Sequence, residues 1–235
     1  MKVAVIIFPG SNCDHDAVHT YSSLLSQDVN EIWYKETDLA KPDLVVIPGG
    51  FSFGDYLRAG AFARVAPIMK EVARFAEQGG PVIGICNGFQ ILCEVGLLPG
   101  ALLQNIERRF LSRFVSLKVE NAKTPFSSSM KLGDVFTCPI AHNEGNFFAD
   151  EETIKELESE GRVVFRYCDA DGEVNHDSRE INPNGSINSI AGITSSKGNV
   201  VGLMPHPERA AESLVGHTGK SSGLSVMSGP LEISI

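Results

Sequence analysis

Short, strongly apolar runs that alternate with helical patterns constrain the fold of this chain more than any other feature. In order along the first half they are KVAVIIF, a helical pattern over 14–25, EIWY, LVVIPG, a helical pattern over 61–77, and PVIGIC. Strands separated by helices are typical of βαβ units, whose parallel strands are buried on both faces. The first half is therefore predicted to form a doubly wound, mostly parallel α/β sheet.

The second half of the chain has a different sequence pattern, in which apolar runs follow one another with only short turns between them. These runs are RFVSLKVE, DVFTCPIAH, VVFRYCDADG, SINSIAGIT and VVGLMPH, and residues 151–160 form the only clear helical pattern. Consecutive strands indicate a mixed or antiparallel extension of the same sheet. No linker or repeat interrupts the chain, so residues 1–219 are predicted to be one domain. The small, polar stretch 220–235 is predicted to be a loosely held tail.

Composition and charge exclude several classes of protein. The chain has 235 residues, 43% of them hydrophobic, and its 29 acidic residues outnumber 20 basic ones to give a net charge of −9. No basic cluster is available for nucleic acid, and no apolar run approaches the roughly 18 residues of a membrane span. The first apolar run is too short for the core of a signal peptide. Five cysteines without a C-x-x-C pair argue against disulfides and zinc, so we expect a cytoplasmic protein without bound metal.

The segment GICNG at 84–88 predicts a sharp strand-to-helix corner with a cysteine at its tip. Glycine is the natural occupant of both flanking positions because larger side chains would collide there. This is the form of a nucleophile elbow, with Cys86 where esterases have serine. Free N–H groups at the start of the helix favour the thiolate, and that of Asn87 can bind an oxyanion. The alternative is a buried core thiol, the interpretation we prefer for Cys13, Cys93, Cys138 and Cys168.

A second elbow pattern, GFSFG at 50–54, would make Ser52 the nucleophile. An elbow requires a helix directly behind it, and only the residues behind Cys86 have near-helical spacing. Cys86 is therefore the predicted nucleophile, and PGGFSFGD is predicted to be a loop beside it. Gly49 and Gly50 are candidates for the second oxyanion donor, and a plain Pro-Gly-Gly turn is the equally open alternative.

Of the six histidines, His206 is the one that we predict to have an orienting residue built into its own segment. In GLMPHPER two prolines bracket the histidine and favour extended geometry, which projects His206 and Glu208 to the same side. A carboxylate beside an imidazole selects its tautomer and supports its charged form, as the third member of a catalytic triad does. The same residues also fit a surface turn that opens a helix, and taken alone they leave both interpretations open.

Several segments together resemble the class I, or triad-type, glutamine amidotransferases. They are FPGSNCD, GGFSFGDYLRAGA, GICNGFQIL, NPNGSINSIAGI and GLMPHPERA, and they are spread over nearly the whole chain. The resemblance implies a flavodoxin-like fold in which Cys86 attacks the side-chain amide of glutamine. It also implies that His206 passes a proton to the departing ammonia, that Glu208 orients His206, and that a γ-glutamyl thioester forms. Gln90 is implied to help hold the substrate.

Within that family, the chain looks most like glutaminase subunits that work with an ammonia-consuming synthetase. The resemblance implies a large partner that uses ATP and Mg, often with a third small subunit. Such a complex converts formylglycinamide ribonucleotide to formylglycinamidine ribonucleotide in purine biosynthesis. No cofactor is implied for this chain itself. The segment AHNEGNFF and the tail after Gly219 depart from the family, so no role is carried over to His142 or Glu144.

Two other classes of protein are less consistent with the sequence. Elbow-cysteine proteins of the deglycase or protease-like kind usually recruit a histidine close after the cysteine, whereas this chain has Asn87 there and no further histidine until His142. A regulatory subunit that has kept only the shape would be expected to have lost one of Cys86, His206 and Glu208, and all three are present. An active glutaminase is therefore the preferred interpretation.

Overall fold

The computed structural model describes residues 1–233 and shows an α/β protein built on one long sheet. Its strands are β1 (Lys2–Ile7), β2 (Asp28–Trp33), β3 (Leu44–Ile47), β4 (Val82–Ile85), β5 (Ala101–Leu103), β6 (Leu111–Val119), β7 (Val135–His142), β8 (Asn146–Phe148), β9 (Val163–Cys168), β10 (Ile190–Thr194) and β11 (Val200–Leu203). Its helices are α1 (Asp14–His19), α2 (Pro67–Glu77), α3 (Asn87–Glu94), α4 (Glu151–Ser159) and α5 (Leu224–Ile233). Within the described residues, nine strands join in the order β2-β1-β3-β4-β11-β10-β9-β6-β7, and β5 pairs separately with β8.

The first five strands in that order are parallel. β1 pairs with both β2 and β3, β3 pairs with β4, and β4 pairs with β11. β3, β4 and β11 are buried along their whole length, as expected for strands in the middle of a covered sheet. Parallel strands end at the same edge of a sheet, so the loops after β1, β3, β4 and β11 meet there.

The other four strands extend the sheet in antiparallel order, from β10 through β9 and β6 to β7. The predicted parallel sheet with an antiparallel extension is therefore confirmed. Because the direction reverses at each of these four pairings, β7 again points the same way as β11. Its last residues, Ala141 and His142, consequently reach the edge where the parallel strands end. The small β5–β8 sheet is absent from the prediction because three residues give too short a pattern.

Two helices differ in their bounds from the sequence pattern. α1 ends at His19 and continues as a wider π-helical turn over Thr20–Leu24, inside the predicted segment 14–25. α2 begins only at Pro67, although the pattern starts at residue 61. The backbone of Ala66 is extended, with ψ at 136°, because a residue before proline is pushed out of the α region. Proline in turn suits the first position of a helix, where its missing N–H is not needed.

The tail is not the loose segment that the sequence predicts. α5 covers Leu224–Ile233, and its Met227 is fully buried. Glycine lets this helix approach the rest of the protein closely, since a Cβ at Gly229 would lie only 2.4 Å from the Pro125 carbonyl oxygen. These contacts are tertiary, and the weak helical period of the tail does not reveal them. Residues 234–235 of the predicted tail lie outside the described residues.

The hydrophobic core is one continuous cluster that runs from the parallel strands to β6, β7 and α5. It therefore does not divide between the two halves of the chain. No helix among residues 1–233 is both long and apolar enough to cross a bilayer.

Met227→Ala tests whether α5 belongs to the folded unit. The change removes most of a fully buried side chain, and such losses typically cost about 2–5 kcal/mol in the free energy of unfolding. We expect a lower urea midpoint with an unchanged m value. Glu232→Ala, at an exposed position of the same helix, is the matched control and should unfold like the wild type. Equal midpoints for both variants would mean that the helix is not docked in solution.

Candidate active site

The predicted catalytic residues meet at the edge where the parallel strands end. Cys86 directly follows β4, and His206 lies shortly after β11. The Cys86 backbone N–H donates to the carbonyl of Leu203, the last residue of β11, at 2.8 Å. The loop after β3 brings Gly49 against the imidazole, because a Cβ on Gly49 would lie 2.7 Å from His206 Cε1. Groups from distant parts of the chain are thus assembled in one buried place.

Cys86 occupies the strained corner that the elbow pattern predicts. Its φ of 52° and ψ of −104° lie outside the conformations that a non-glycine residue usually adopts. A Cβ at Gly88 would lie 2.0 Å from the Ile47 carbonyl oxygen, and one at Gly84 would lie 2.6 Å from the Gly88 carbonyl. Both glycines are therefore required so that α3 can pack directly on β3 and β4. The Cys86 sulfur lies 3.8 Å from the carbonyl oxygen of Ala141, at the end of β7.

His206 and Glu208 form a buried pair. His206 Nδ1 is 2.6 Å from Glu208 Oε1, and both side chains are almost completely buried. The backbone also fixes the histidine, since its N–H donates to the Pro139 carbonyl of β7 at 2.8 Å. Within residues 1–233, His206 Nε2 and Glu208 Oε2 have no hydrogen-bond partner. A buried polar atom without a partner is costly, and such atoms commonly mark functional sites.

The charge of this pair favours proton transfer at His206. Burial opposes a charge on the imidazole, but the Glu208 carboxylate raises the pKa of His206 well above its ordinary value. The nearby sulfurs of Cys86 and Cys13 add to this rise in the pKa of His206. Because Nδ1 is engaged by the carboxylate, Nε2 is the nitrogen that remains to exchange a proton with a thiol or a substrate.

Cys13 is a site neighbour that the sequence interpretation as a core thiol missed. Its backbone N–H donates to the Gly49 carbonyl at 3.3 Å, which holds the loop after β1 against the loop after β3. The Cys13 sulfur, a ring nitrogen of His206 and a carboxylate oxygen of Glu208, each a possible metal ligand, lie within 4.8 Å of one another. A metal ion on these atoms would occupy the imidazole and its carboxylate, so metal binding and proton transfer at His206 are mutually exclusive uses of this group. The position of Cys13 just after the first parallel strand is the signal that could have placed it here.

The predicted oxyanion donors Gly49, Gly50 and Asn87 all lie around Cys86. Gly50 lines the cavity beside the cysteine, and its φ of 142° lies in the region that favours glycine. Asn87 is the first residue of α3, where backbone N–H groups have no partner within the helix. Their role in binding an oxyanion stays a prediction, and their positions are compatible with it.

The Asn87 side chain has a structural role that the sequence did not indicate. Its Oδ1 accepts the Ser52 backbone N–H at 3.1 Å, and its Nδ2 donates to Gln90 Oε1 at 2.8 Å. Gln90 Nε2 donates in turn to the Glu144 carbonyl at 2.6 Å. This chain of bonds joins the loop after β3, the elbow helix and the loop after β7. Ser52, the rival nucleophile, is buried, and its hydroxyl has no hydrogen-bond partner within residues 1–233, so no base is positioned on it.

A cavity of about 120 Å³ opens directly beside the cysteine. Its walls are formed by Gly50, Phe51, Asp55, Cys86, Gln90, Ala141, His142, Asn143 and Glu144. Gln90 lines this cavity, and its role as a substrate contact stays a prediction. Asp55, His142 and Glu144 also line the cavity, and no role is predicted for any of the three from the sequence. The arrangement offers a nucleophile, a base with its orienting carboxylate, and a small polar chamber for an amide substrate.

Comparison with known proteins agrees with this geometry. The chain belongs to the glutamine amidotransferases, since the model of the CobB/CobQ-like glutamine amidotransferase domain matches residues 1–225. It is 53% identical over 215 residues to the phosphoribosylformylglycinamidine synthase subunit PurQ of Salinibacter ruber, covering 92% of this chain and 90% of that protein. The protein of the same name from Aquifex aeolicus is 50% identical over 229 residues, which cover 97% of this chain and 100% of the relative.

A solved structure supports the same relationship. In the structure of PurLQS from Thermotoga maritima, one chain superposes on this one with a TM-score of 0.85. The two are 40% identical, and the superposition covers 100% of this chain and 99% of that one.

Gly88→Ala tests whether the elbow depends on the contact between α3 and β3. The added Cβ would fall on the Ile47 carbonyl oxygen, so α3 must shift, at a cost of about 1–3 kcal/mol in stability. A displacement of the thiol by about 1 Å can lower the rate roughly 10²-fold. Unfolding curves and glutaminase assays measure the two effects.

Gly133→Ala is the matched control, because its φ is +86° but a Cβ there meets no atom within 4 Å. It should lose stability through backbone strain alone and keep full activity. Full activity in Gly88→Ala as well would contradict the role assigned to this contact.

Proposed function

We propose that this chain is the glutaminase subunit of a phosphoribosylformylglycinamidine synthase. The observation that carries the proposal is the elbow cysteine at the same strand edge as the buried His206–Glu208 pair. Relatives at 50% identity or more over nearly the full chain bear the name of that synthase subunit. In the proposed assignment Cys86 is the nucleophile, His206 the base and acid, and Glu208 the residue that orients His206.

The first half-reaction transfers the γ-glutamyl group to sulfur. Cys86 Sγ attacks the side-chain amide carbon of glutamine, and the thiol proton moves to His206 Nε2. In this proposal the backbone N–H groups of Gly49, Gly50 and Asn87 stabilise the negative charge that develops on the carbonyl oxygen. His206 then gives its proton to the nitrogen as the C–N bond breaks, so that neutral ammonia leaves. The product on the enzyme is a γ-glutamyl thioester.

The second half-reaction releases glutamate. Water adds to the thioester carbon while His206 Nε2 accepts one of its protons. The C–S bond then breaks, the sulfur regains a proton, and glutamate departs. Throughout both steps Glu208 stabilises the imidazolium without itself taking up the proton. Its fixed contact to Nδ1, at 2.6 Å, keeps Nε2 directed at the reacting atoms.

The ammonia is consumed by a partner synthetase. Ammonia released to water is protonated and loses its nucleophilic lone pair, so the partner must cover the opening of the site. The proposed partner is a large subunit that uses ATP and Mg to convert formylglycinamide ribonucleotide to formylglycinamidine ribonucleotide, together with a third small subunit. The relationship to a chain of PurLQS supports such an assembly.

A group of aromatic side chains beside the cavity, three of them exposed and two partly buried, supports a partner at this face. We call it the aromatic patch; ring-to-ring contacts link its members, which are Trp33, Tyr34, Phe53, Tyr56 and Phe62. Tyr56 is 69% exposed, and the adjoining Leu57 is 81% exposed. Both residues directly follow Asp55, which lines the cavity. Contiguous apolar surface of this kind is typical of protein interfaces.

Cys86→Ser tests the assigned nucleophile in the complex with the synthetase. We expect glutamine-dependent synthesis to fall by roughly 10⁴-fold or more, because serine is a far weaker nucleophile at this site. Synthesis from added ammonium salt should continue, since it bypasses the glutaminase. Ser52→Ala is the matched control and should keep both activities. Retained glutamine use in Cys86→Ser, or an equal loss in Ser52→Ala, would remove Cys86 from the assigned role.

Leu57→Glu tests the proposed docking face. A charge placed in a desolvated interface should weaken assembly with the synthetase by at least about tenfold, measured by titration calorimetry. Leu214→Glu is the matched control, because Leu214 is 90% exposed and lies outside the aromatic patch. It should bind like the wild type. If both variants assemble normally, the partner binds elsewhere on this chain.

A further inference from the structure

Three acceptor groups line the cavity beside Cys86 and have no part in the chemistry above. They are the carboxylates of Asp55 and Glu144 and the imidazole of His142. Among the described residues, no lysine or arginine lines the same cavity. A positively charged ligand would therefore complement the two partly buried carboxylates of this chamber.

The two carboxylates are close enough to interact electrostatically. Burial and, after it, the charge of Glu144 raise the pKa of Asp55 to about 6. Each has one weak bond from the protein. The Asn87 Nδ2 donates to Asp55 Oδ1 at 3.4 Å, and the Ala59 backbone N–H donates to Glu144 Oε2 at 3.4 Å. Most of their capacity to accept hydrogen bonds is therefore still available.

His142 contributes an acceptor because its tautomer is fixed. Asn105 Nδ2 donates to two backbone carbonyls, and Asn105 Oδ1 accepts the Gly145 N–H at 3.1 Å, so this oxygen faces His142 Nδ1 as an acceptor. At 3.1 Å, Nδ1 must carry the proton, which leaves Nε2 with a free lone pair. Burial and the charge on His206 lower the pKa of His142 to about 3, so the ring is neutral at physiological pH. Within residues 1–233, no group donates to this buried Nε2.

We infer that Asp55, Glu144 and His142 form the subsite for the α-ammonium group of glutamine. This inference rests on the proposed function, which supplies the substrate. An ammonium group has three N–H donors and no acceptor, which matches three acceptors with two negative charges. The side-chain amide of the same molecule would then extend to Cys86, which shares the cavity. The subsite would make the enzyme select amino acids over simple amides.

The pair of substrates that tests this subsite is L-glutamine and 4-carbamoylbutanoate, which is glutamine without the α-amino group. In the assembled complex, the wild type should prefer glutamine in kcat/KM. Asp55→Asn with Glu144→Gln should reduce that preference roughly 10- to 100-fold, the usual value of hydrogen bonds to a charged group. Turnover of 4-carbamoylbutanoate should change little. Asp55→Glu, which restores the charge, should recover part of the preference.

Glu94→Gln is the matched control, since Glu94 is a carboxylate on α3 that pairs with Arg58 outside the cavity. It should keep the preference for glutamine. Asp55→Asn should not lower the melting temperature near pH 7, because a carboxyl with a raised pKa destabilises the fold when it is ionised. Glutamine preference that persists in the double variant would overturn the subsite.

Binding to the Cys86→Ala chain with the synthetase attached separates this inference from the proposed function. Calorimetry measures the affinity of this inactive variant for each of the two compounds, so the subsite is tested without turnover. A preference for glutamine that depends on Asp55 and Glu144 supports the subsite even if the wild type hydrolyses no glutamine, which would refute the proposed function alone. Equal affinity for both compounds would refute the subsite even in an active glutaminase.

Discussion

The rest of the site depends on the close contact between α3 and β3. Gly88 lets the elbow helix lie on the Ile47 carbonyl, where any side chain would collide. That contact, together with the bond from Cys86 to Leu203, holds the cysteine in a conformation that an unsupported residue would leave. Because the strands on both sides of β4 are parallel to it, every loop around the cysteine comes from the same edge of the sheet. The nucleophile is therefore positioned by the sheet itself.

The site also retains features that cost stability. The Nε2 atoms of His206 and His142 are buried without a hydrogen-bond partner among the described residues, and burial together with the charge of Glu144 disfavours the ionised form of Asp55. Asp55 stands in a loop where Phe53, Gly54, Asp55 and Leu57 all have positive φ. Groups of this kind persist when a substrate or reaction compensates for them. The same loop carries the exposed Tyr56 and Leu57. The proposed substrate contact and the proposed partner contacts are therefore consecutive residues of one loop.

Much of the fold could be predicted because its signals are local. Continuous apolar runs identified β3 and β4 as buried strands, and consecutive runs after residue 100 identified the antiparallel extension. The errors arise where the signal is short or tertiary. β5 and β8 have only three residues each. α2 begins at Pro67, six residues after the start of its apolar pattern. α5 is held by packing at Met227 and Gly229. A periodicity of apolar residues cannot detect such contacts.

For the site, local motifs predicted the elbow cysteine and offered His206 with Glu208 as its partners, because each feature spans only a few consecutive residues. That Cys13, Asp55, His142 and Glu144 lie around them becomes visible only in the folded chain. These residues come from the loops after β1 and β3 and from the end of β7 with the loop that follows it, and which of these segments meet depends on strand order and direction. Local sequence specifies turns and side chains. Contacts between segments that are distant in sequence depend on how all the strands pair in the sheet.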